Sequence, residues 1–178
     1  PENRWSWQEF TKMEPPMPKW GGFIQGIDEF DASFFNISPR EAQWMDPQQR
    51  LFIQAVWKTV ENSGYSIEQL NPSKVGLFVG VSSSDYSELL HFQSVSEAFL
   101  STGNAHSILA NRVSYLFNFN GPSVAVDTAC SSSLVALHQA VKAIQTGDCE
   151  LAVVGGVNAL ITPTLFKSFT RAGMLSPE

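Results

Sequence analysis

The chain is poor in several things, and each shortage excludes something. It has two cysteines in 178 residues, Cys130 and Cys149, in different contexts. They give no disulfide framework, which fits a reducing, cytoplasmic setting. No apolar run reaches the ~18 residues of a membrane-spanning helix. Basic residues are outnumbered, 11 Lys and Arg against 17 Asp and Glu, and form no cluster. A net charge of −6 argues against nucleic acid and against an anionic membrane surface as partners. Histidine is scarce too, with three in the chain. No His/Cys/Asp group has metal-ligand spacing, so no metal is expected. Gly155-Gly156 ends an apolar stretch, but neither GxGxxG nor GxxxxGK[ST] is present, so no nucleotide loop is expected. Pro1 is not an initiator residue and no signal-peptide pattern follows it.

What remains is an ordinary globular composition, 43% hydrophobic, in a chain long enough for a core. Residues 1–22 are rich in Trp and Pro, with Trp5, Trp7, Trp20 and Pro15-Pro16-Met17-Pro18. Prolines interrupt helix and sheet alike, so this reads as an extended connector, pinned to a surface by its tryptophans. Ser38-Pro39-Arg40-Glu41 is a capping box with Pro at the first helical position. Asp46-Pro47-Gln48-Gln49 repeats the device, Gln49 reaching back, and predicts a helix to about Asn62 with Gly64 as terminator. Gln48, Gln49 and Arg50 read as helix start and support rather than as catalytic groups.

Further along, Asn71-Pro72-Ser73 turns into an apolar strand over 75–81. Ser82-Ser83-Ser84 predicts a cap for a short helix over 85–90, and 91–102 is loosely patterned. A helix over 105–117, a strand over 123–127, a helix over 132–145 stopped by Gly147, a strand over 151–154 and a last helix from Thr162-Pro163 to about Gly173 follow. Strands alternating with helices imply right-handed βαβ crossovers and a mainly parallel sheet. No internal boundary is marked. Periodicity alone leaves a Rossmann-like, a hydrolase-like and a thiolase-like sheet equally open.

The chemistry concentrates at Val124-Ala125-Val126-Asp127-Thr128-Ala129-Cys130-Ser131-Ser132-Ser133-Leu134. A β-branched stretch ends in small residues, one of them cysteine, and a helix-patterned segment follows. That layout lifts a thiol from a strand end to the positive end of a helix, where the macrodipole and free N–H groups favour an anion. A cysteine so placed suits nucleophilic acyl transfer, and hydrolases place serine on the same strand–elbow–helix layout. Cys149, in Thr146-Gly147-Asp148-Cys149-Glu150, has no helix start after it and reads as structural. Of the histidines, His138 lies on the helix after Cys130, but eight residues put it roughly 12 Å along the axis, too far to pair. His91 and His106 carry no signature. No Cys–His pair is visible, which counts against a papain-like hydrolase. The Cys130 N–H is the one nameable oxyanion donor. Asp127 reads as a loop orienter, and Ser131 to Ser133 as satisfying the open N–H groups of the helix start. Asn104, Asn111 and Arg112 form a polar set expected on one helix.

Asp127-Thr128-Ala129-Cys130-Ser131-Ser132-Ser133-Leu134 resembles the active-site signature of β-ketoacyl synthases, in the form carried by modular type I polyketide synthases. Other segments agree in the family's order. They are Pro1-Glu2-Asn3-Arg4-Trp5, Gly21-Gly22-Phe23, Phe30-Asp31 through Phe34-Phe35, Ser38 to Ala42, and Met45-Asp46-Pro47-Gln48-Gln49-Arg50-Leu51. Gly103-Asn104, Ala110-Asn111-Arg112-Val113-Ser114-Tyr115 and Val154-Gly155-Gly156-Val157-Asn158 complete the set. The resemblance implies an α/β thiolase-like fold, layered αβαβα, with only part of its N-terminal half in this chain. On this reading residues 1–178 are a partial ketosynthase domain, 1–22 its connector and 23–178 the half itself. It implies Cys130 as acyl acceptor in a decarboxylative Claisen condensation of carrier-bound acyl and malonyl thioesters. No cofactor is bound directly, because substrates arrive on the phosphopantetheine of an acyl carrier protein. The intact synthase is expected to be a homodimer. The family's two catalytic histidines and its lysine belong to a C-terminal half, so the piece alone is expected to be inactive. A non-elongating ketosynthase, which only holds and passes on the acyl chain, is the alternative this segment leaves open.

Overall fold

The computed structural model describes residues 4–10, 12–71, 73–92 and 97–176. The chain divides into two compact units. The larger, Ile27–Ser83 with Ser96–Asn158, holds the sheet. Its strands β1 (Val75–Gly80), β2 (Ser123–Val126) and β3 (Leu151–Gly156) are all parallel, in the order β2-β1-β3. In register, Gly80 lies opposite Val126 on one side and Gly156 on the other. The expected parallel sheet is therefore present, with β3 running two residues further than 154. As the middle strand, β1 is buried along its whole length, which is why it reads as a continuous apolar run rather than an alternation.

Alternation survives in the packing of β1. Val75, Leu77 and Val79 point into a large cluster with α2 (Pro47–Asn62) and α6 (His106–Leu116), among them Phe52, Ile53, Val56, Leu109 and Val113. Ile53, Leu77 and Leu109 are essentially inaccessible, and truncating any of them to Ala costs about 2–5 kcal/mol. On the other face Phe78 meets α7 (Ser132–Gln145) through Ala136, Ala140 and Ala143. These three repeat at helical spacing, so α7 lays a stripe of methyl groups on the sheet. Its far side carries exposed Leu134, Leu137, Val141 and Ile144.

Short helices complete this unit. In α1 (Pro39–Trp44), Ser38 Oγ accepts from the Glu41 N–H at 3.1 Å, but Glu41 does not close the expected box. Its carboxylate pairs instead with the Arg112 guanidinium. At the head of α2, Asp46 Oδ1 accepts from Gln48 N at 2.8 Å, as the sequence suggests. Gln49, expected to reach back to Asp46, points away. Its Nε2 donates to the Thr102 and Ala105 carbonyls and its Oε1 accepts from Arg112 Nε. Gly64 follows α2 with φ +82°. Two helices are additions to the sequence reading. One is α3 (Ile67–Leu70), with a reciprocal box between Ser66 and Gln69; the other is α5 (Leu100–Asn104), in the stretch read as loosely patterned. Of the turn Asn71-Pro72-Ser73, Pro72 lies outside the described residues.

The smaller unit, Pro1–Gly26 with Ser84–Val95 and Ala159–Glu178, is built on aromatic packing. Trp5, Phe23 and Phe166 have ring centroids 5.5–6.0 Å apart, and Lys167 Nζ lies 4.4 Å over the Phe10 ring. The Trp/Pro-rich stretch includes a 3-10 turn at Trp7–Phe10. Trp5 is buried, Trp7 half-buried and Trp20 exposed. Helix α4 (Asp85–Phe92) is tied to the chain before α8 (Thr164–Arg171). Buried Asp85 takes the Ile161 and Thr162 N–H groups, and Glu88 takes the Thr162 and Thr164 hydroxyls. Among the described residues no helix is long and apolar enough to cross a membrane.

Candidate active site

Strand β2 ends at Val126, and the chain turns at Asp127 and Thr128 into a single 3-10 turn, Ala129–Ser131, that runs directly into α7. Cys130 is in the middle of that turn and is exposed. The strand–elbow–helix junction expected around this thiol is thus present. Ala129 adopts φ 54°, a left-handed conformation unusual for a residue with a Cβ. Side chains hold it there. Asp127 Oδ1 accepts from the Ala129 N–H at 3.1 Å, the loop-orienting role read for this carboxylate.

The serines do not do what the sequence suggested. None caps a helix N–H of α7. Ser131 Oγ donates to the Thr128 carbonyl at 2.8 Å, and Ser132 Oγ donates to the Ala129 carbonyl at 2.7 Å while accepting from the Thr128 N–H at 2.9 Å. Both hydroxyls turn backwards onto the elbow. The backbone explains it: Ser131 sits at φ −94°, ψ −2°, already helical, whereas a side-chain cap needs an extended residue at that point. The turn's own backbone bonds begin with Ser131 N to Thr128 O and Ser132 N to Ala129 O. The Cys130 N–H lies ahead of both, among the donors a helix start leaves open.

The elbow is seated on the sheet through glycine. A Cβ on Gly80 would stand 2.5 Å from Ser133 N and 2.7 Å from the Ser132 carbonyl carbon, and one on Gly156 3.0 Å from Ser133 Cβ. The ends of β1 and β3 therefore lack side chains where the first turn of α7 comes down. The Gly155-Gly156 pair serves packing: a Cβ on Gly155 would meet the Phe52 ring at 2.7 Å.

The second thiol is placed otherwise. Cys149 is 2% exposed and belongs to the Phe78 cluster under α7. Burial pushes its thiol up from the ordinary value, so it reacts as an inert apolar group.

None of the three histidines is placed as a partner for Cys130 by the hydrogen bonds. His91 Nδ1 donates to the Ser87 carbonyl and His106 Nε2 to the Ser83 carbonyl. His138 is exposed and lines an open cleft of about 370 Å³ with Phe78, Pro122, Lys142, Thr146 and Asp148; Cys130 is not in its wall. Asn104 closes α5 and binds the Trp44 and Leu100 carbonyls, while Asn111 and Arg112 belong to α6. The helix expected to carry all three is broken at Ala105, whose ψ is 130°.

One buried polar cluster escaped the sequence reading. Ser83 Oγ lies 3.0 Å from Gln48 Oε1 and 2.8 Å from Asn158 Oδ1, and Gln48 Nε2 donates to the Ser83 carbonyl. Asp46 anchors the cluster at 3% exposure. Burial raises its carboxyl above the ordinary 3.8, against the Gln48 hydrogen bonds and the nearby His106 and Arg50 charges, which pull it down. Asp46 and Gln48 are legible as a helix start, but Ser83, the partner of Gln48, lies 35 residues on, and Asn158, the partner of Ser83, a further 75. Among the described residues no group of His, Cys, Asp or Glu could hold a metal ion.

The family model for the β-ketoacyl synthase N-terminal domain matches residues 1–178. The polyketide synthase PksN of Bacillus subtilis is 47% identical over all of this chain, which spans 3% of that protein. The oxazolomycin ketosynthase domain of Streptomyces albus JA3453 superposes with a TM-score of 0.90 at 40% identity, covering 100% of this chain and 32% of that one. A ketosynthase from module 6 of the Bacillus subtilis bacillaene synthase gives 0.79 at 42% identity, covering 88% of this chain and 26% of its own. The chain thus spans about a third or less of the proteins it matches, and within that span it has their thiolase-like α/β fold. The chain belongs to the β-ketoacyl synthase family and corresponds to the N-terminal domain of that family.

Proposed function

We propose that this chain is part of a ketosynthase domain of a modular type I polyketide synthase and that Cys130 is its acyl acceptor. The observation that carries the reading is the exposed thiol in the turn between β2 and α7, at a helix start with no side-chain cap. In the first step Cys130 Sγ attacks the thioester carbonyl of an acyl chain brought by an acyl carrier protein. A carbon–sulfur bond forms, the carrier's phosphopantetheine thiol leaves, and the proton lost by Cys130 ends on that thiol. The Cys130 N–H faces the oxyanion that develops. In the second step a carrier-bound malonyl unit loses carbon dioxide, its α-carbon bonds to the acyl carbon, and the Cys130 sulfur is released. Substrates stay on their carriers, so no cofactor is held by this chain. In this reading the domain works in the cytoplasm as a homodimer. A free, exposed thiol suits that reducing compartment.

The test is acyl loading of the intact domain, read by mass spectrometry on the Cys130 peptide. The wild-type domain gains one acyl mass there and Cys130→Ala gains none while melting at the same temperature. An acyl adduct persisting on Cys130→Ala would place the nucleophile elsewhere.

A further inference from the structure

We infer that Ser132 is a positioning residue for the acyl-transfer step, acting through the peptide that joins Ala129 to Cys130. The inference rests on Cys130 being the acyl acceptor. The carbonyl of Ala129 and the N–H of Cys130 are two ends of one planar trans peptide and point in opposite directions. Whatever fixes that carbonyl also aims that N–H. Two donors converge on the Ala129 carbonyl, the Ser132 hydroxyl at 2.7 Å and the Ser132 backbone N–H. The same hydroxyl accepts from the Thr128 N–H, so it spans the elbow ahead of the thiol.

Two further observations separate Ser132 from an ordinary helix-start serine. It is 6% exposed, whereas Ser131 and Ser133 are exposed. Its own main chain rests on β1 at Gly80, so one residue links the sheet to the peptide that must be aimed. The hydrogen bond does a second thing. A carbonyl that accepts a donor polarises its peptide and makes the N–H at the other end a better donor. Without the hydroxyl, Ala129 at φ 54° keeps only the Asp127 carboxylate on its N–H and the Ser132 N–H on its carbonyl, so the peptide is held less firmly and the Cys130 N–H is aimed less well.

This separates two reactions of one sulfur. Acylation by a p-nitrophenyl ester passes through an oxyanion and needs the aimed N–H. The sulfur–carbon bond forms and p-nitrophenolate leaves. Alkylation by iodoacetamide displaces iodide and makes no oxyanion. In the intact domain, with Cys130 followed by peptide mass spectrometry, Ser132→Ala is expected to slow acylation about tenfold and leave alkylation within about twofold, a smaller loss than removing an oxyanion donor outright. Ser132→Thr keeps the hydroxyl and restores acylation. Equal loss of both reactions, unchanged acylation in Ser132→Ala, or failure of Thr to rescue each overturns the proposal. Cys130→Ala runs alongside: an adduct surviving there refutes the parent assignment, not the role of Ser132.

Discussion

The long helices α2 and α7 begin in opposite ways. At α2 the chain enters extended, with Asp46 at ψ 131°, and its carboxylate closes on the Gln48 N–H. At α7 the chain enters already helical through a 3-10 turn, and the side chain at its N-cap, Ser131, does not close on the helix donors. The first start is buried and finished within the protein; the second is exposed from Asp127 to Ser131 and left with donors to offer. A capped start contributes stability, commonly ~1 kcal/mol. An open one forgoes that and keeps its N–H groups for whatever the thiol holds. The difference teaches where to look for chemistry: at the helix start whose available hydroxyls decline to cap it.

The seat of α7 is the severest place to disturb this contrast. Gly80→Ala places a methyl 2.5 Å from Ser133 N, and backbone has little room to yield. A loss of about 3 kcal/mol is expected, read as a lower melting temperature of the intact domain. A shift of the thiol by about 1 Å is also expected to slow Cys130 acylation roughly a hundredfold. Normal acylation in this variant would show that the seat does not place the thiol.

At the other helix the expectation reverses. Asp46→Ala removes the cap and should cost about 1–2 kcal/mol of stability, with Cys130 acylation within about twofold because the Asp46 carboxylate bonds to Gln48 and to no residue of the elbow. An acylation loss as large as that of Gly80→Ala would erase the distinction between the two starts.

The smallest effect sharpens the comparison by pH. The Asp46 carboxyl binds its proton more tightly folded than unfolded, chiefly through burial. Its stabilising contribution is therefore complete below the ordinary value of 3.8 and is lost as pH rises through the raised one. Asp46→Asn keeps an oxygen for the Gln48 N–H and has no charge to bury. Its melting temperature relative to wild type should rise across that window, and a flat difference would mean that His106 and Arg50 fully offset the burial.

Much of this was readable in the residues because the signals are local. Pro39 and Pro47 mark helix starts, the apolar run from Val75 marks a buried strand, and small residues around Cys130 mark the elbow. What was not readable depends on partners far along the chain. Glu41 is drawn from its own cap by Arg112, 71 residues on, and Gln49 is turned by the same guanidinium. Ala105, a strong helix former, breaks a helix where Gln49 binds its carbonyl and the preceding Asn104 side chain binds the Trp44 carbonyl. The backward turn of Ser131 and Ser132 follows from a backbone conformation that no propensity at those positions announces.

Gly80 also bears on how such a domain can change over generations. Main-chain atoms of α7 come down on β1 there, so the sulfur's coarse address is written in the scaffold, and the Asp127 and Ser132 side chains refine it. Under the proposed acyl transfer, residues lining the substrate's path are then free to drift in size and polarity. On that proposal, new substrates would be accommodated while the thiol stays where it was.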